Sequence, residues 1–340
     1  MSKVILPTGR VVELLDDLMR DFEVVAPVEL GGDTIFTHIN DAEEMALEYP
    51  NSNVSLKEFL FPQTECLFEY SVQKGMFRLK ERRDRRRRLI FGIRPCDVAG
   101  LRYLDSLFSG DILDPNYWSR RANTKLVCIA CTKPCTEACF CTSTGTGPFP
   151  ETGFDLALTP VRAGFLAEAL TESGREILKR NSQLLELSTE ADEAERESQA
   201  ALALQRFKRR VDIARAVVGM NRLFRDSIWE STSKKCLRCG GCTYVCPTCY
   251  CFNVFDRSRN SKGERLRHWD SCQLIGFGRR AGGLNSRPSQ IERLRQWYYH
   301  KFSYSLDQFG MLGCVGCGRC VETCIGNIDI VQVLNELARR

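Results

Sequence analysis

Apolar and polar positions alternate in short runs over the first half of the chain, and the pattern changes to a helical period in the middle. The runs VVAPVEL (24–30), GGDTIFTHI (31–39), LIFGI (89–93) and KLVCIAC (125–131) are rich in β-branched residues between turn formers, so they predict strands. DAEEMALEY (41–49) predicts a helix. From Val161 to about Glu230 the residues Ala, Leu, Glu and Arg dominate. Within that stretch ADEAERESQAALALQRFKRRVDIARAVVGMNRLF (191–224) predicts an amphipathic helical bridge. A cysteine-rich part follows from Lys234 to about Asp329, and IVQVLNELARR (330–340) predicts a closing helix. The pattern predicts an α+β protein: an irregular N-terminal α/β domain over 1–165, a helical segment over 166–230 and a C-terminal domain over 231–340.

Composition sharpens this picture. Hydrophobic residues make up 43% and charged ones 27% of 340 residues, enough for a substantial core and unlike a disordered chain. No run of eighteen apolar residues exists, and the opening MSKVILPTGRVVELLDDLMRD carries acidic residues where an export signal needs apolar ones. The expectation is a soluble cytoplasmic protein without a membrane partner. Eighteen cysteines in so long a chain without an export signal point to metal or redox chemistry rather than disulfides.

One internal repeat carries the strongest signal. Cys236, Cys239, Cys242 and Cys246 have the spacing C-x2-C-x2-C-x3-C, followed by Pro247, and Cys314, Cys317, Cys320 and Cys324 repeat it. Three cysteines two residues apart can wrap a loop around three corners of a cubane, and the fourth thiolate comes from elsewhere. In the bacterial two-cluster arrangement the last cysteine of each run serves the other cluster. The expected sets are therefore Cys236, Cys239, Cys242 with Cys324, and Cys314, Cys317, Cys320 with Cys246, holding two [4Fe-4S] clusters in a dicluster ferredoxin-like domain. Zinc also takes C-x2-C pairs, but it needs no third cysteine two residues further on. Cys242, Cys246 and Cys249 fit the C-x3-C-x2-C spacing of radical enzymes, yet too few residues follow for their barrel. Two clusters at about −2 each would bring the formal charge of +5 to roughly +1, which weakens the basic balance as a sign of nucleic acid.

The other cysteines form looser groups. A C-x-C pair on extended backbone puts both sulfurs on one side. Cys139 and Cys141 in CFC, with Cys131 and Cys96, make a candidate third [4Fe-4S] site; Cys128 and Cys135 lie nearby. Cys249, Cys251 and Cys272 make an incomplete set of three, either structural thiols or a fourth site completed by Asp270 or left open. Cys66 stands alone and reads as a core residue.

Six segments together carry a family resemblance: LIFGIRPCDVAGLRYLD (89–105), CFCTSTGTGP (139–148), CGGCTYVCPTCYCFNVFD (239–256), HWDSCQLIGF (268–277), RRAGGLNSRP (279–288) and GMLGCVGCGRC (310–320). With SLKEFLFPQTE (55–65) they resemble, in order, the iron–sulfur beta subunit of soluble [NiFe] hydrogenases and sulfhydrogenases, a family that includes the corresponding iron–sulfur subunit of anaerobic sulfite reductase. The resemblance implies an electron-transfer subunit between a flavoprotein subunit that reacts with NAD(P)H and a hydrogenase or other catalytic subunit. Ile325 departs from the usual proline after the second run, and Cys128 and Cys135 are additional cysteines.

Several features do not change this reading. The basic run RLKERRDRRRR (78–88) lacks interleaved aromatics and reads as a solvated loop or a docking surface for an acidic partner, not a nucleic-acid site. STGTGP (143–148) lacks the ending of a phosphate loop, and no G-x-G-x-x-G follows a strand, so flavin and nicotinamide belong to another chain. His38, His268 and His300 are scattered, and QWYYHKFSY (296–304) has helical spacing suited to packing between the two cysteine runs. No residue reads as a general acid, base or nucleophile. A self-contained catalyst with an open iron near Cys249, Cys251 and Cys272 and a DNA-binding regulator are the alternative classes.

Overall fold

The computed structural model describes residues 3–340. In chain order its strands are β1 (Val4–Leu6), β2 (Glu23–Leu30), β3 (Asp33–His38), β4 (Thr64–Gln73), β5 (Met76–Glu81) and β6 (Arg88–Ile93). Then come β7 (Thr124–Ile129), β8 (Leu156–Val161), β9 (Gly164–Ala169), β10 (Glu186–Leu187), β11 (Phe252–Arg259) and β12 (Lys262–Trp269). Eight form one sheet in the order β10-β1-β9-β8-β7-β6-β2-β3, and the others form a second, β11-β12-β4-β5.

The central strands of the large sheet, β2, β6, β7 and β8, are parallel. Parallel strands need cover on both faces, which is why RLIFGI is buried throughout. Leu89 and Phe91 enter the core under the helix Val11–Met19, whereas Ile90 and Ile93 enter the one under the helix Pro95–Phe108. Gly92, with φ of +83°, interrupts the alternation and turns Ile93 to the same side as Ile90. The carboxyl ends of β6 and β7 lead directly to Cys96 and Cys131, the edge at which open α/β sheets place their sites.

Two expected elements take a different form. DAEEMALEY makes a single 3-10 turn, Ala42–Glu44, capped by Asp41. Met45 leaves it extended, and the Ala46 N–H donates to the Pro27 carbonyl of β2 at 2.7 Å instead of continuing a helix. The stretch after Val161 starts as strand β9, whose Phe165, Leu166 and Ala167 are buried between β1 and β8. Helices begin only at Glu172–Arg180 and continue as Glu190–Arg206, Ile213–Arg222 and Ser227–Lys234. Cys66 lies in β4 opposite Leu266, half-buried in the small sheet rather than in a core.

The small sheet joins residues 64–81 to residues 252–269, so the early and the cysteine-rich parts of the chain share hydrogen bonds. Buried charge seals the same seam. Arg267 of β12 pairs with Glu65 and Asp114, and Arg120 also reaches Glu65. Arg319, between two cysteines of the second run, forms two hydrogen bonds to Asp97 at 2.7 and 2.8 Å and donates to the Ser52 carbonyl at 2.7 Å. Both side chains of that pair are 2% exposed. Removing one partner strands the other charge, so Asp97→Leu is expected to cost about 3–5 kcal/mol, and adding Arg319→Met to recover most of it. Urea unfolding midpoints of the single and double variants check this.

Candidate metal centres

The two cysteine runs have the same backbone. Arg238 (φ +59°) and Gly316 (φ +62°) occupy equivalent left-handed positions two residues after the first cysteine of each run. Gly240 (φ +77°) and Gly318 (φ +82°) follow the second cysteine and start the one-turn helices Gly241–Tyr244 and Arg319–Glu322. Reversals of this kind are open to glycine at no steric cost, and they wrap the first three cysteines around one point. At Gly316 a Cβ would meet the backbone of Cys141 at 2.6 Å, and at Gly326 it would meet the Lys235 carbonyl at 2.0 Å. Glycine is therefore also what lets the second run touch the CFC loop on one side and the first run on the other.

The runs enclose two adjacent cavities. Cys236, Cys239, Cys242 and Cys324 line the first, together with Trp297 and Tyr298. Cys246, Cys314, Cys317 and Cys320 line the second, together with Phe140 and Lys301. Cys320 and Ile330 border both. Each cavity thus receives the first three cysteines of one run and the last cysteine of the other, and Cys320 stands between the two.

The remaining cysteines divide into smaller groups. Cys131 and Cys135 have their sulfurs 3.7 Å apart, and Cys135 also hydrogen-bonds to Cys139. Cys139 and Cys141 pack together against Phe207 with Cys135 beside them. Cys96 packs against Val315 and Cys317, with Cys135 within electrostatic reach. Cys135, outside the expected third set, therefore sits at the middle of this group, and Cys96 sits between it and the second cavity. Cys128 is buried in the sheet core. The set Cys249, Cys251 and Cys272 separates into pairs of free thiols: Cys249 lies within hydrogen-bonding reach of Cys246, and Cys251 of Cys272.

Comparison with known proteins follows the same division. Residues 235–328, which hold both runs, match the 4Fe-4S dicluster domain family. Over 326 residues, 96% of this chain and 95% of the relative, the sequence is 32% identical to sulfhydrogenase 2 subunit beta of Pyrococcus furiosus. The chain belongs to the sulfhydrogenase beta-subunit family. It carries the iron–sulfur domain of that family, a domain suited to electron transfer. No helix among the described residues is long and apolar enough to cross a membrane.

The donor sets of this family member fit iron–sulfur centres on their own chemistry. Each cavity offers the four thiols of one crossed set, with Cys320 of the second set also edging the first, and no carboxylate or imidazole. Trp297 Nε1 and Tyr298 OH, from residues lining the first cavity, are buried and have no protein partner, as donors facing an acceptor group would be. Burial pushes the Cys242 and Cys314 thiols up to about 12 and Cys317 up to about 11. Metal ligation requires thiolates, so loading these sites releases protons. Cys246 is the exception. A hydrogen bond from Cys249 holds it well below the usual thiol range against the effect of burial, aided by the charges of Lys301 and Lys57.

Both lysines are buried, at 4% and 2% exposure, and the sequence pattern singled out neither. Lys57 donates to the carbonyls of Thr243, Cys246 and Cys249 at 3.2, 2.8 and 2.9 Å and lies over the Trp269 ring at 4.2 Å. It ties the end of the first run to the N-terminal half. Burial lowers its pKa, whereas for Lys301 the surrounding thiolates outweigh burial and raise it. The only available signal was position: Lys57 lies in SLKEFLFPQTE and Lys301 in the aromatic stretch.

His300, next to Lys301, shares a 3.0 Å hydrogen bond with Tyr250 OH. Burial lowers its pKa to about 4. Its unfolded value is near 6.5, so its neutral form adds stability above pH 6.5 that is lost as pH falls towards 4, at most about 3 kcal/mol. Thermal midpoints of the wild type and His300→Gln should therefore converge between pH 7 and 5, the wild type losing more.

Proposed function

We propose that this chain is the electron relay of an oxidoreductase assembly, holding three [4Fe-4S] centres between a flavoprotein subunit that reacts with NAD(P)H and a hydrogenase catalytic subunit. The observation that carries this reading is the pair of adjacent four-thiol cavities with Cys320 and Ile330 in their common wall. Cys236, Cys239, Cys242 and Cys324 ligate the first centre, and Cys246, Cys314, Cys317 and Cys320 the second. Cys131, Cys135, Cys139 and Cys141 ligate the third, with Cys96 packed between it and the second. Such a centre, when bound, supplies one-electron transfer.

The protein sets the order of these sites. Cys239 is exposed, so the first set opens to the surface. The second is buried between the other two, since Phe140 lines its cavity and donates its N–H to the Gly316 carbonyl at 2.8 Å. At the other end a cavity of about 620 Å³, lined by Cys131, Cys135 and Arg94, borders the third set. Two accessible ends with a buried middle are what a conductor between two partner subunits needs. The name of the Pyrococcus relative supports a hydrogenase assembly, and the sequence carries neither a G-x-G-x-x-G nor a phosphate-loop motif that would point to flavin or nicotinamide on this chain.

Protein purified without oxygen should contain about twelve iron and twelve sulfide per chain, and about eight of each would remove the third centre. The isolated, loaded chain should accept electrons from a low-potential dye yet leave NAD(P)H unoxidised until the flavoprotein subunit is added. Cys324→Ser should alter the electron paramagnetic resonance signal that Cys239→Ser alters, and Cys246→Ser the one that Cys317→Ser alters. Paired effects within one run instead of across the two would refute the crossed assignment.

A further inference from the structure

Lys301 lies in a π-helical turn, His300–Tyr304, that continues the helix Gln290–Tyr299. Turns of this kind are rare and recur at functional sites. Its Nζ donates to Cys246 Sγ at 3.1 Å, to the Gly313 carbonyl at 2.9 Å and to Thr248 Oγ1 at 3.3 Å. Three acceptors take three N–H hydrogens, and only the ammonium form carries three. The one hydroxyl hydrogen of Thr248 faces the Gly313 carbonyl at 2.7 Å and Cys246 Sγ at 3.1 Å, and with either acceptor a lone pair remains for Lys301. Among the described residues no carboxylate lies within ion-pair distance of this ammonium. Its counter-charge is therefore the sulfur cage of the second cavity.

The two cavities, alike in their cysteines, differ in this respect. No Lys or Arg lines the first, whose buried donors, Trp297 Nε1 and Tyr298 OH, are neutral. The second is the more enclosed, with Cys246, Cys314 and Cys317 buried, whereas Cys239 of the first is exposed. Reduction adds a negative charge to a centre, and burial alone would make that addition harder in the second. A fixed positive charge touching one of its ligating sulfurs acts in the opposite sense.

Resting on the relay reading, we propose that Lys301 is a positioning residue whose ammonium raises the reduction potential of the centre held by Cys246, Cys314, Cys317 and Cys320. Lys301 thereby keeps the buried middle site of the relay within reach of its two neighbours. Lys57 adds to the same field but spends its hydrogen bonds on backbone carbonyls, so Lys301 has the direct contact with sulfur.

The test is a potentiometric titration followed by electron paramagnetic resonance on the full chain, purified without oxygen with whatever subunits accompany it. Lys301→Met and Lys301→Gln should each move one midpoint most, to a more negative potential, with iron and sulfide at wild-type content; the centre held by Cys242, which the same charge reaches from further off, should move less. The signal that moves most should be the one whose line shape Cys246→Ser alters. Lys301→Arg, which keeps the charge, should stay near the wild-type value. Should Lys301→Met lose iron, the comparison of Lys301→Gln with Lys301→Arg decides. Fully loaded variants with wild-type midpoints, or a larger shift in the signal that Cys239→Ser alters than in the one that Cys246→Ser alters, overturn the proposal. Wild-type protein without acid-labile sulfide would instead overturn the relay reading, a different and recognisable failure.

Discussion

Each of the two central cavities closes only when both cysteine runs are in place, because each takes its last cysteine from the other run. This constraint explains much of the C-terminal architecture. Runs far apart in sequence must meet at Gly326 and Lys235, and the segment between them must return the chain without blocking the meeting point. It does so as the hairpin of β11 and β12 followed by the aromatic helix Gln290–Tyr299, whose Trp297 and Tyr298 then form a wall of the first cavity. The closing helix Ile330–Arg339 packs against Ile213–Arg222 so tightly that a Cβ on Gly219 would lie 2.0 Å from the Leu337 carbonyl. Ile330, at its start, forms the wall between the cavities together with Cys320.

Thiolates in a buried site need compensating charge, and the fold supplies it from a distance. Lys57 enters from the N-terminal half, Lys301 from the π-helical turn, and Arg319 from inside the second run, where it pairs with Asp97. Arg94, at the end of β6, plays the equivalent part beside Cys131 and Cys135: its guanidinium lies over the Tyr49 ring at 4.1 Å, and against burial Tyr49 first and then those sulfurs favour its charged form. The same side chains that balance the sulfurs therefore bind the large sheet to the cysteine loops. Charge compensation and domain docking are one set of contacts.

The eight repeated cysteines and their division were legible in the sequence because a local spacing of two and three residues encodes a local wrap, and the repeat itself encodes a pair. The strands β2, β6 and β7 were legible because a sheet covered on both faces demands continuous apolar runs, and the edge strand β3 because its burial alternates between turn formers. Local signals failed where a distant backbone group competed. Ala46 gives its N–H to Pro27 rather than to a helix, and Phe165 to Ala167 find a buried place between two strands although their neighbours favour helix.

Spacing and periodicity within short windows were thus enough to specify the class of chemistry, the α+β mixture and the repeat that brings eight cysteines to the two cavities. Folding was needed to settle that Cys135 joins Cys131 and Cys139, that Cys251 turns to Cys272 and Cys249 to Cys246, and that two lysines face the sulfurs. A cysteine with no repeat around it has no local preference for a partner. A lysine is sent to the surface by its hydration unless a buried anion and enough acceptors await it, and those acceptors come together only when the chain has folded.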